Sequence, residues 1–233
     1  MPAPKDTTSA GRAVELGAET VYNSGVERRD DPGPDRVTLG GRRLGRRALT
    51  LTGVGSTGMW GERLGRRNAL ETIRAAVDRG ADLVEVPLPF GPFADLARDA
   101  DLGGVYLVAR LTGPVRSLEV LEARLGRRPD LLLADPGLLP ALSRWPVDLG
   151  AVTADGGVPA VPGVDLKAVR GPFPAPPGRI ESCRHRGVAY LAPSLGVLGA
   201  GRATVALLAP HSPTEAAALF GPPGATPPDA APG

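Results

Sequence analysis

Short apolar runs recur along the chain, each bounded by glycine, proline or charge. They are ALTLTG (48–53), ADLVEVP (81–87), VYLVARL (105–111), DLLLADP (130–136), DLGAVTA (148–154), DLKAVRG (165–171), VAYLAPS (188–194) and ATVALLAP (203–210). Continuous apolar runs of this length suit parallel strands buried on both faces. Several of the stretches between them have helical periodicity instead. RRNALETIRAAVDRG (66–80) puts Ala69, Ile73, Ala76 and Val77 on one face and ends on Gly80, a natural C-terminal stop. FADLARDA (93–100), RSLEVLEARLG (116–126), GLLPALSRW (137–145) and SPTEAAALF (212–220) follow the same pattern. In the last, Ser212 suits the N-cap, Pro213 the first helical position and Glu215 the capping-box position. The connections after the fifth and seventh strands are too short or too rich in glycine and proline for helices.

Eight strands, most followed by helices, predict an α/β fold of (β/α)8 TIM-barrel type. The usual size is about 250 residues, so this barrel is a trimmed one. An open doubly wound sheet is the alternative, but GVGSTGMWG (53–61) lacks the G-x-G-x-x-G spacing of a dinucleotide loop. The polar segment 1–36 and the Pro/Gly/Ala tail 221–233 have no core-forming pattern and are expected to be disordered, leaving 37–220 as the folded unit.

Composition narrows the setting. Of 233 residues, 42% are hydrophobic, and 27 basic against 25 acidic residues leave a net charge of +2. That balance calls for no nucleic-acid partner, and the repeated RLGRR (43–47, 63–67, 124–128) reads as solvated loops and helix ends. A single cysteine, Cys183, excludes an internal disulfide. With no signal peptide or membrane-length apolar run, the expected location is the cytoplasm, away from membranes. Abundant Gly, Pro, Ala and Arg suggest a GC-rich bacterial genome.

Laid on this scaffold, residues 37–220 resemble the aldo/keto reductase superfamily. VTLGGRRLGRRALTLTGVGSTGMWG is similar to its hairpin, first strand and substrate loop. NALETIRAAVDRGADLVEV follows A-x-x-x-x-x-x-A-x-x-x-G-x-x-x-x-D up to its last position, which is Glu85, ESCRHRGVAYLAPSLGVLGAG resembles the seventh-strand segment, and VALLAPHSPTEAAALF the last strand and cofactor loop. The resemblance implies a barrel of that type and an Asp–Tyr–Lys–His set serving NADPH-dependent carbonyl reduction. Those four positions hold Glu85, Phe90, Arg110 and Asp135. Phenylalanine has no proton to donate and arginine cannot serve as a base. The Ser-Asn pair and Gln that hold the nicotinamide are replaced around Val152–Ala154 and at Arg170, and no basic residue lies between 210 and 220 to hold a 2′-phosphate. No cofactor and no metal are therefore expected. His211 with Asp135 and Glu85 has no local ligand spacing, His185 reads as solvated and Cys183 as packed.

In a barrel of this kind the strand C-termini converge on one open mouth. Candidates there are Glu85, Arg110, Asp135, Asp155, Arg170, Ser194 and His211, with Trp60, Phe90 and Phe173 as apolar walls. Glu85, Arg110 and Asp135 end successive strands and are expected to be neighbours. They form either an ion-pair network filling the place of a lost cofactor or a carboxylate acid/base pair separated by Arg110. The leading expectation is a redox-silent barrel acting on a small molecule without a cofactor, as a cyclase, isomerase or lyase in biosynthesis. A non-catalytic binding or scaffold barrel with a protein partner and a divergent NADPH-dependent oxidoreductase are the alternatives. A closed ion-pair plug at the mouth would favour the scaffold, and an open apolar pocket would favour catalysis.

Overall fold

The structure, a computed structural model, describes residues 36–51, 65–88, 93–194 and 205–221. Of the arm and tail expected from composition, all but Arg36, which opens a strand, and Gly221 lie outside the described residues, as do Trp60 and Phe90.

A hairpin opens the fold. Strands β1 (Arg36–Leu39) and β2 (Arg42–Gly45) pair antiparallel, Val37 opposite Leu44 and Leu39 opposite Arg42. Its turn runs through Gly40 at φ 55°, where an added Cβ would lie 2.4 Å from Asp148 Oδ2 and 2.5 Å from the Tyr106 hydroxyl. Glycine is required there both for the left-handed backbone and for the space.

Eight strands then form a closed parallel barrel: β3 (Arg47–Thr50), β4 (Leu83–Leu88), β5 (Tyr106–Leu111), β6 (Leu131–Ala134), β7 (Asp148–Val152), β8 (Leu166–Arg170), β9 (Ala189–Ser194) and β10 (Val205–Leu208). Each pairs with the next in sequence, and β10 closes on β3 with Ala206 opposite Arg47 and Leu208 opposite Leu49. All eight predicted strands are present, and they close into the (β/α)8 barrel that was expected.

The period-two alternation of a strand divides the apolar residues between two layers. Ala48, Leu83, Val108, Leu133 and Leu191 face the lumen, which the hairpin residues Val37, Leu39 and Leu44 plug from the amino-terminal end. Leu49, Val84, Val86, Leu107 and Ala109 face outwards into the helix layer. The plug is fastened by polar contacts. Gly45 N donates to both Asp82 carboxylate oxygens at 2.9 Å, and the Arg42 guanidinium lies 5.7 Å from the centre of the Tyr106 ring.

The helices are α1 (Gly65–Asp78), α2 (Phe93–Asp99), α3 (Leu118–Leu125), α4 (Leu139–Leu142), α5 (Arg179–His185) and α6 (Pro213–Phe220). Thus α4 is only one turn of the longer helix expected over 137–145. No helix joins β7 to β8. Val158, Val161 and Val164 of the connecting loop pack on the core in its place, which is where the fold is trimmed. None of the described helices is long and apolar enough to cross a membrane.

Candidate active site

Glu85 is the third residue of β4, in the run Leu83-Val84-Glu85-Val86. Val84 and Val86 point to the helix layer, so Glu85 points into the lumen with Leu83, and it is fully buried. A carboxylate in that position must be hydrogen-bonded and paired. Thr50 Oγ1, at the end of β3, donates to its Oε2 at 2.6 Å. Arg110 Nε, on the neighbouring β5, donates to Oε1 at 2.9 Å. A third donor comes from the far side: Arg170 Nε, the last residue of β8, reaches the same Oε1 at 2.7 Å. In the closed ring β8 stands four strands from β4 in either direction. The ion pair therefore spans the lumen between opposite strands.

Among the described residues the network holds two guanidinium cations against one carboxylate. Both arginine side chains keep a little exposure, 14% for Arg110 and 18% for Arg170. Burial, with the positive charge of Arg170 beside it, pushes the Arg110 guanidinium below its ordinary value, against the opposing pull of Glu85. It remains a cation, as arginines do.

Asp135 does not join this network, contrary to the sequence expectation. Strand β6 ends at Ala134, and Asp135 is exposed in the following turn, where its Oδ1 accepts from Gly137 N at 2.8 Å. The chain has begun to turn one residue too early for its carboxylate to face inwards. The pairing of two carboxylates separated by Arg110 is replaced by one carboxylate held between two arginines.

The other candidates are dispersed. Asp155 is exposed beyond β7. Its carboxylate accepts from Gly157 N at 3.0 Å and Arg179 Nη2 at 2.6 Å. The backbone donor first, and Arg179 after it, hold that carboxyl below its ordinary value. Phe173 is 40% exposed in the loop after β8, a surface ring where an apolar wall was expected. Ser194 ends β9 opposite Leu208 of β10. His211 is exposed before α6. Among the described residues no cluster of three or more His, Cys, Asp or Glu side chains is arranged to hold a metal. Cys183 is buried, and burial raises its thiol pKa, as suits a packed side chain. Thr50 is the site residue that sequence reasoning passed over. A polar residue in phase with lumen-facing Ala48 within an apolar strand was the available signal.

A nicotinamide dinucleotide is the cofactor that the sequence resemblance implies, and the described residues do not fit one. Arg170, at the position of the nicotinamide-binding Gln, is committed to Glu85. The Thr153 hydroxyl donates to Gly157 O at 3.2 Å within its own loop. At α6, where a 2′-phosphate would sit, the protein's own side chains occupy the helix N-terminus. Ser212 Oγ accepts from Glu215 N at 3.1 Å, and Glu215 Oε2 accepts from His211 N at 2.7 Å. Ser212 is the N-cap as predicted, while Glu215 reaches one residue beyond the usual capping-box donor. A carboxylate at that position repels a phosphate.

No protein-family model matches the sequence, and no curated protein matches it. Solved structures match in fold. A Pseudomonas aeruginosa protein described as an aldo-keto reductase superposes with a TM-score of 0.58 at 17% identity, over 81% of this chain and 94% of that one. A glycerol dehydrogenase of Gluconobacter oxydans gives 0.51 at 18% identity, over 69% of this chain and 63% of that one. The 2-keto-3-deoxy-6-phosphogluconate aldolase of Zymomonas mobilis, solved with 3-phosphoglycerate, also gives 0.51, at 13% identity over 76% and 90%. Reductase and aldolase barrels both match this chain, so its chemistry has to be argued from the site.

Proposed function

We propose that this barrel does not reduce carbonyls and instead acts on a small molecule at its mouth without a redox cofactor, as a cyclase, isomerase or lyase. Glu85 held at once by Arg110 and Arg170 is the observation that supports this reading. Arg110 and Arg170 stand at or next to the carboxyl ends of β5 and β8, on the side where barrel active sites lie, while Glu85 sits deeper, midway along β4. Such a site stabilises negative charge that develops on a substrate oxygen, as when a carbonyl enolises and its α-proton passes to water. The two guanidinium groups supply that field. Glu85, its oxygens already accepting three hydrogen bonds, orients them rather than moving protons itself. Cytoplasmic biosynthesis of small molecules is the setting we assign, from the composition of the chain.

Calorimetric titration of the protein with NADPH and NADH tests the reading. The expected result is no saturable binding at millimolar concentration. Saturable micromolar binding would restore a divergent reductase. A non-catalytic scaffold is the second reading, favoured by the bridge across the lumen. It requires that no small molecule respond to substitution of Arg170.

A further inference from the structure

The unused half of the Arg170 guanidinium bears on what the mouth recognises. Among the described residues Arg170 donates only through Nε, to Glu85. Its two terminal nitrogens have no hydrogen-bond partner among the described residues and are not fully buried. They keep part of the side chain's 18% exposure at the carboxyl end of β8, with four N–H donors between them. Arg110 stands beside them on the same carboxylate oxygen. Glu85 thus fixes the inner edge of each guanidinium, and on Arg170 the outer edge remains available.

We infer that the outer edge of Arg170, backed by the charge of Arg110, is a recognition site for the carboxylate of a small organic acid. Three physical points converge on that ligand. The planar fork of a guanidinium matches two carboxylate oxygens in parallel. Among the described residues the one carboxylate is shared by two cations whose side chains are only 14% and 18% exposed, so the second cation is poorly solvated and one monoanion complements it. Pinning the Nε atoms in advance removes the ordering cost that a flexible surface arginine incurs on binding. A dianionic phosphate would instead bring a second negative charge close to Glu85. This inference rests on the mouth being the ligand site, as proposed above.

The test uses the full chain labelled with nitrogen-15 and observes the Nε–H resonances of Arg110 and Arg170. Sodium acetate, inorganic phosphate and sodium chloride are titrated separately at matched ionic strength. Acetate is expected to shift the Arg170 resonance saturably below about 100 mM, the range for a single small anion. Chloride should produce only a shallow linear drift. Arg170→Gln should weaken the acetate response, followed then at Arg110, by about tenfold or more. Arg170→Lys, which keeps the charge and loses the fork, should weaken it to a similar degree, and the wild-type shift decides the matter even where a variant fails to fold. Preference for phosphate over acetate would overturn the carboxylate assignment. A linear response to all three salts, with NADPH also silent, would overturn the anion site and leave the cofactor-free reading standing. Saturable NADPH binding in competition with acetate would overturn both.

Discussion

Glu85 shows how far one buried charge commits its surroundings. Removing one partner from a buried, fully hydrogen-bonded ion network leaves the rest uncompensated, which costs about 3 kcal/mol or more. Glu85→Gln should therefore lower stability by about 3 kcal/mol, read as a fall in urea midpoint at unchanged slope. Asp135→Asn, in an exposed turn, should stay within about 0.5 kcal/mol of the parent in the same assay. Tyr190 gives a second prediction. It is fully buried on β9, its hydroxyl donating to Pro172 O at 2.8 Å. Burial, helped by nearby Cys183 and Asp155, pushes its phenol from 10.0 up to about 12. The folded state then retains a proton that the unfolded chain releases, so this stability is fully present below pH 10.0 and is lost as pH rises towards about 12. Unfolding free energy should decline across that window, and Tyr190→Phe should flatten part of the decline.

At the level of elements, the hairpin turn is the most exacting local requirement. Gly40→Ala would place a methyl against Asp148 and Tyr106 in a left-handed conformation. Together the backbone and packing terms suggest a loss of about 3 kcal/mol, measurable by chemical unfolding. Strands and most helices were legible in the sequence because apolar period and cap chemistry are local. The N-cap at Ser212 and the eight strand runs are of that kind. The partners of Glu85 were only half legible. Arg110 follows from strand adjacency, whereas Arg170 depends on side-chain reach across the ring, which adjacency does not encode. Asp135 was misplaced for a boundary reason: β6 stops one residue before it, and a single residue decides which way a side chain faces.

For the whole molecule, the bridge ties together strands that never pair. Stability is otherwise passed round the barrel from each strand to its neighbour. If the β4–β8 contact couples the two sides, Glu85→Gln should accelerate amide hydrogen exchange in β4 and β8 together. The measurement is exchange followed by mass spectrometry, and acceleration confined to β4 and its direct neighbours would show that the bridge transmits nothing. The same contact has an implication for the order of events during translation. Arg110 follows Glu85 by 25 residues, and Arg170 follows it by 85. A chain emerging from the ribosome presents Glu85 to one arginine well before the second exists. Glu85 can therefore be matched one to one by Arg110 first, and the second cation joins it only when β8 arrives.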